Sequence, residues 1–306
     1  MAKPTLLYFS EEAGQAIELA ALCNASAQLI ERHVFPDGEL KLRLPSHLPE
    51  RVAIFHSLHH PNQKLIELLL AAPTAKKLGT RHLTLIAPYL AYMRQDIAFL
   101  PGEAVSQRII GGLLASLFDA LITVDPHLHR VSSLAEAVPV KSALLLSAAS
   151  LMGDFVAKQR ANPILMGPDE ESLQWVAQAA VQHHLDYAVA KKVRTGDQEV
   201  EVILPLMRVQ GRPVILLDDI ASSGHTLART TELLLEAGAQ SVDVIVTHAL
   251  FMGSALELVK RAGVSEVWST DCIDHPSNAI SMLPAMAQAW SGLLDKSLLD
   301  PNLLVS

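Results

Sequence analysis

The chain reads as an α/β protein of two domains, each a mostly parallel sheet flanked by helices, and three observations predict this. Apolar strand-like runs alternate with helix-patterned ones: TLLYF, EEAGQAIELAALC, RVAIFHS, NQKLIELLLAAPTAKKLG, HLTLIAP. Such alternation predicts parallel strands joined by crossover helices, with ligands beyond the carboxyl ends of the strands. The length, 306 residues, suits about two domains of common size. Half of the residues are hydrophobic but only 5% are aromatic, so the cores are aliphatic.

Composition also narrows the function. A formal net charge of −8 provides no basic excess for a nonspecific nucleic-acid surface. Cys23 and Cys272 are too few for a disulfide framework or a CxxC zinc site. The first residues lack a basic segment followed by an apolar core, and no uninterrupted apolar run approaches the roughly 18 residues of a membrane span. A cytoplasmic enzyme with neither nucleic-acid nor membrane partners is expected.

The most informative stretch is Val214–Thr226, VILLDDIASSGHT. Four apolar residues after Gly211-Arg212-Pro213 form a buried strand that runs into Asp218 and Asp219. A polar loop follows, Ser222-Ser223-Gly224-His225-Thr226, and then LARTTELLLEA as a helix stopped by Gly238. Unpartnered amides of a helix's first turn, with small hydroxyls, suit an anion such as phosphate. Carboxylates beside them suit the vicinal hydroxyls of a sugar, so the stretch describes a sugar-phosphate pocket.

Five other segments stand out. HVFPDGELKLRLP places Asp37-Gly38 as a hairpin turn before an alternating half-buried strand. HLTLIAP leads into a loop with Arg94, Gln95 and Asp96, where an arginine fork suits phosphate and stacks on planar rings. ALITVD ends in Pro126-His127-Leu128-His129, whose same-side histidines suit metal or phosphate. NPILMGPDEES ends a second buried strand in Asp169, and LDYAVAKKVRTGDQEVEVILP reads as two strands joined at Thr195-Gly196-Asp197, with Lys191, Lys192 and Arg194 at the tip. The pairs His59-His60 and His183-His184 read as solvated. Taken singly, a DG turn, a His-x-His pair or a basic hairpin is common without function.

Together, in this order, these elements resemble the ribose-phosphate pyrophosphokinase family, and the resemblance covers nearly the whole chain. It implies two phosphoribosyltransferase-like domains, expected at 1–145 and 146–306, the second including the C-terminal helical region. It implies transfer of the β,γ-pyrophosphoryl group of Mg-ATP to the C1 hydroxyl of ribose 5-phosphate, giving phosphoribosyl pyrophosphate and AMP. Phe35, Asp37, Gly38, Glu39, Arg94, Gln95 and Asp96 are then ATP-binding, and His127 and Asp169 are Mg²⁺ ligands. Asp218, Asp219, Ser222, Ser223, Gly224, His225 and Thr226 bind ribose 5-phosphate, while Lys192 and Arg194 are catalytic. A homo-oligomer with its ATP site near a subunit interface is implied.

The chain departs from the family pattern in places. Glu170 and Glu171 follow Asp169 where small residues are usual, and Ser222 and His225 replace an acidic residue and a glycine in the phosphate loop. Ile97-Ala98-Phe99 stand where basic residues are frequent. A phosphoribosyltransferase would share Asp218 to Thr226 yet leave the PDGE, RQD and VDPH elements unexplained. A non-catalytic associated subunit would have no use for Lys192, Arg194, His127 and Asp169.

Overall fold

The computed structural model describes residues 3–128, 130–131, 133–194 and 200–295; at 193, 194, 200 and 201 the backbone alone is described. The chain divides into two compact units, Met1–Ser147 with Met282–Ser306, and Ala148–Ser281.

In the first unit β1 (Thr5–Tyr8) is followed by a 3-10 turn (Ser10–Glu12), α1 (Ala13–Leu22), β2 (Ser26–Leu29), β3 (Glu31–Val34) and β4 (Leu40–Arg43). Then come β5 (Arg51–Phe55), α2 (Pro61–Lys77), β6 (His82–Ala87), α3 (Ser106–Leu117), β7 (Ala120–Val124), α4 (Leu134–Ala137) and β8 (Ser142–Leu146). The sheet runs β2-β1-β5-β6-β7-β8, every pair parallel. β5 is buried beyond Arg51 and β7 along its whole length, which is why VAIF and ALITV read as unbroken apolar runs. Leu65, Leu68, Ala72 and Ala75 recur at helical spacing and turn one face of α2 into the core.

The second unit repeats the plan with α5 (Ala149–Gln159), β9 (Ile164–Gly167), a 3-10 turn (Glu170–Ser172), α6 (Leu173–Val181), β10 (Asp186–Val189), β11 (Lys191–Arg194) and β12 (Val200–Ile203). It continues through β13 (Pro213–Ala221), α7 (His225–Glu236), β14 (Ser241–Ala249), α8 (Ala255–Arg261), β15 (Val264–Thr270) and β16 (Asn278–Ile280). Its parallel sheet has the order β10-β9-β13-β14-β15-β16, the first order strand for strand. In both units an antiparallel hairpin, β3-β4 or β11-β12, is inserted between the second and third strands of the sheet.

Two segments differ from the sequence reading. The run LDYAVAKKVR is two strands, β10 in the sheet and β11 in the hairpin, broken at buried Ala190. The Ala190 amide donates to Gly167 O at 2.9 Å, which ties the bend to the first strand of the unit and sends the chain out of the sheet. The last helix, α9 (Leu283–Leu294), belongs to the first unit, where it packs against α1, β7 and β8 and buries Trp290. An apolar helix must bury its stripe somewhere, and its sequence alone does not say against which sheet.

Candidate functional site

In the second unit the geometry is set by where β9 stops. β13 pairs with β9 only as far as Leu216 opposite Met166, whereas it pairs with β14 out to Ala221 opposite Ala249. Asp218 and Asp219 therefore lie inside β13 rather than after it, on the stretch that β9 has left. Asp219 is buried, and its amide donates to Asp218 Oδ1 at 3.0 Å. Burial, then the negative charges of Asp219 and Asp169, push the Asp218 carboxyl well above the usual carboxylate range. Asp169 follows β9 and accepts the Glu171 amide at 3.1 Å. It too is pushed up, by burial and by Glu171, with Lys192 pulling the other way. Asp218 thus feels both neighbouring carboxylates, and it and Asp169 are held in an unfavourable state that a cation or a hydrogen-bond donor would relieve.

The polar loop Ser222–Thr226 connects β13 to α7. Gly224 precedes the helix at φ +76°, and a Cβ there would lie 3.0 Å from both Ala255 O and Val259 Cγ2, so backbone conformation and close approach of α8 both require glycine. The loop is anchored by Phe251 N–H to Ala221 O and Met252 N–H to Ser222 O, each 2.9 Å. His225 and Thr226 open α7, so the loop presents first-turn amides as the sequence suggests. Lys192 is exposed on β11, opposite Val202 in the register. The side chain of Arg194 and the 195–197 turn lie outside the described residues.

In the first unit the PDGE turn closes the β3-β4 hairpin. Gly38 has φ +91° and donates to Phe35 O at 2.9 Å, while Asp37 accepts the Glu39 amide at 3.1 Å. Phe35 stands partly exposed, edge-on to His33 with Lys41 over its ring. A cavity of about 410 Å³ beside the turn is lined by Gly38, Glu39, Leu40, Gln63, Ile66 and Leu70.

The Arg94-Gln95-Asp96 loop is held from two sides. Ser106 Oγ donates to Gln95 Oε1 at 3.1 Å, and Gln107, fully buried, donates through Nε2 to Met93 O at 3.2 Å. The buried Asp96 carboxylate accepts from Arg130 Nη1 at 2.8 Å, which joins this loop to the one after β7. Arg94 is exposed. His127 lies in the loop after β7, which Asp125 begins at φ +35°; His129 is outside the described residues. Among the described residues no three His, Cys, Asp or Glu side chains are grouped to hold a metal ion, and His127 and Asp169 belong to different units.

Sequence reasoning missed a buried charge chain in the first unit, Glu12, His56 and Glu67, with Lys64 and Arg32 beside it. Its one visible signal was Glu67 on the apolar face of the ELLLAA helix. His59, read as solvated, is half-buried next to this chain, and burial with the Lys64 charge lowers its pKa to about 4.

Two parallel sheets built to one strand order, one of them ending in an acidic strand and an amide-rich loop, define a phosphoribosyltransferase-like α/β protein. Family models match accordingly: the N-terminal domain of ribose phosphate pyrophosphokinase over residues 6–117 and the phosphoribosyl transferase domain over residues 140–282. The chain is 32% identical to the ribose-phosphate pyrophosphokinase of Methanopyrus kandleri over 279 residues, covering 90% of this chain and 94% of that protein. It is also 32% identical to that of Thermococcus kodakarensis over 267 residues, covering 87% and 94%. The fold superposes on the phosphoribosylpyrophosphate synthetase of Mycobacterium smegmatis with a TM-score of 0.82 at 22% identity, covering 96% of this chain and 100% of that one. The chain belongs to the ribose-phosphate pyrophosphokinase family.

Proposed function

We propose that this protein transfers the β,γ-pyrophosphoryl group of Mg-ATP to the C1 hydroxyl of ribose 5-phosphate in the cytoplasm. The convergence of Asp169, Asp218 and Asp219 beside a glycine-bearing loop at the start of α7 carries this reading. Asp218 and Asp219 accept from the ribose hydroxyls, and Ser222, Ser223, Gly224, His225 and Thr226 cradle the 5-phosphate through first-turn amides and hydroxyls. In the first unit Phe35, Asp37, Gly38, Glu39, Arg94 and Gln95 bind the nucleotide, the guanidinium pairing with phosphate. Asp96, buried and paired with Arg130, contributes by holding that loop.

Asp169 and His127 are the proposed contacts of the magnesium nucleotide. Magnesium is usually held by one or two carboxylates with substrate phosphates and water, so the raised Asp169 and Asp218 carboxyls fit a hard cation without a larger protein cage. When bound, the ion neutralises the triphosphate and helps align it. Lys192 and Arg194 supply positive charge to the oxygens on which negative charge grows during transfer. Titration calorimetry with ribose 5-phosphate tests the pocket. D218N and D219N should each weaken binding by about tenfold or more, the loss of a charge-assisted hydrogen-bond pair, and unchanged affinity in both would refute the assignment.

A further inference from the structure

The matching topology lets positions in the two units be compared. Tyr8 and Gly167 end their strands and accept from the amides of Ile30 and Ala190, and each hairpin starts at the next residue. Arg32 therefore stands where Lys192 stands. Phe55 lies opposite Tyr8, and Leu217 follows the Leu216–Met166 pair, so His56 stands where Asp218 stands. In the second unit these positions belong to an acidic pocket. In the first they are linked to one another.

Glu12 Oε1 accepts the Ser57 amide at 2.7 Å, and Glu12 Oε2 meets His56 Nδ1 at 2.8 Å. His56 Nε2 meets Glu67 Oε2 at 2.9 Å, and Glu67 Oε1 accepts from Gln63 Nε2 at 2.8 Å and from Arg32 Nη1 at 2.7 Å. Arg32 also grips Glu11 through Nη1 and Nη2, at 3.0 and 3.1 Å. Glu12, His56 and Glu67 are 6%, 0% and 0% exposed, so the chain bears a desolvation cost that an apolar core would avoid. Its outer end is on β3, in a hairpin whose strands pair only with each other. Beside the packing of Leu42 and Leu44 against the core, Arg32 ties that hairpin to α2 and to the turn after β1 through Glu67 and Glu11.

We propose that Arg32 and the Glu12–His56–Glu67 chain are positioning residues that fix the pose of the Phe35–Glu39 loop. The first unit's counterpart of the sugar-phosphate pocket is closed on itself and holds the hairpin. That the loop's ligand is a nucleotide rests on the function proposed above; the positioning does not.

The groups facing His56 are Glu12 from the turn after β1, Glu67 and Lys64 from α2, His59 from the loop before α2, and Arg32 and Glu11 at the margin. Burial alone would lower its pKa, but the hydrogen bonds to Glu12 and Glu67 hold it above the usual value. As pH rises through that raised value, one carboxylate loses its donor and the hold on Arg32 loosens.

Amide hydrogen exchange of wild type, R32A, E67Q and H56Q, alongside Mg-ATP kinetics, tests this. Exchange of the hairpin amides should quicken about five- to tenfold in R32A and E67Q while β13 and α7 keep wild-type rates. KM for Mg-ATP should rise with little change in kcat, and wild-type KM should climb with pH where H56Q is already high and flat. R32A removes a partly exposed side chain and leaves the buried Glu67 carboxylate its bonds from His56 and Gln63. Hairpin exchange in R32A equal to wild type would overturn the proposal, whatever the activity. A wild-type protein that makes no phosphoribosyl pyrophosphate would refute the nucleotide reading instead, and the exchange rates would still decide the positioning.

Discussion

Asp218 shows how a single residue reports its purpose through its cost. Its carboxyl is raised by burial and by two neighbouring carboxylates, so the folded state holds a proton that the unfolded chain gives up. Stability from this site is full below the ordinary Asp pKa and is lost as pH rises through the raised one. D218N should thus melt above wild type at pH 7.5, by about 2 °C or more, and this gain should shrink toward pH 4 when followed by calorimetry. Equal melting temperatures at both pH values would mean that Asp218 is not under this strain. Gly224 is constrained differently, by φ +76° and by the contact with α8. G224A should cost about 1–3 kcal/mol of stability and abolish ribose 5-phosphate binding, measured by denaturant titration and calorimetry. Both residues stand out in the string DDIASSGHT, because strand ends and turn glycines leave local marks. Glu12 and His56 leave none, being distant in sequence and joined only by the fold.

At the scale of elements, the two hairpins do different work on one template. The charge of Lys192 on β11 acts on Asp169, and in the proposed transfer its contribution grows as charge develops on the transferring group. K192A should lower kcat by about 10²-fold or more while ribose 5-phosphate binding changes little, measured by steady-state kinetics and calorimetry. Equal losses in both would remove Lys192 from the transfer step. The β3-β4 hairpin instead leans on α2 through Glu67, whose pKa falls to about 2: burial opposes this, and hydrogen bonds from His56, Gln63 and Arg32 outweigh it. That stability is present above the ordinary Glu pKa and disappears as pH falls through about 2. E67Q should destabilise the fold at pH 7 by about 1–3 kcal/mol, the loss of charge-assisted hydrogen bonds from His56 and Arg32, in urea titration. A variant as stable as wild type would contradict it. The alternation of strands and helices was legible because buried parallel strands and amphipathic helices differ in period. The break at Ala190 was not, since a bend between two extended segments leaves LDYAVAKKVR continuous in pattern.

Over the whole molecule, an internal repeat underlies both units. The shared strand order and the hairpin inserted at the same place are plain in the topology but scarcely visible in the sequence. Strand order depends on pairing, and apolar residues exchange freely in a packed core as long as volume and pattern are kept. The affiliation of α9 was hidden likewise, as LPAMAQAWSGLL shows an apolar stripe without naming its partner. The geometry of the candidate site, by contrast, was readable in one stretch, because a strand, two carboxylates and a helix start are contiguous there. The proposed activity draws on elements of both units, so it is the property to measure first. Purified protein given ATP, Mg²⁺ and ribose 5-phosphate should release AMP and phosphoribosyl pyrophosphate in equal amounts, only when the sugar phosphate is present. Binding of either substrate without formation of either product would contradict the proposed enzyme and leave a non-catalytic subunit in its place.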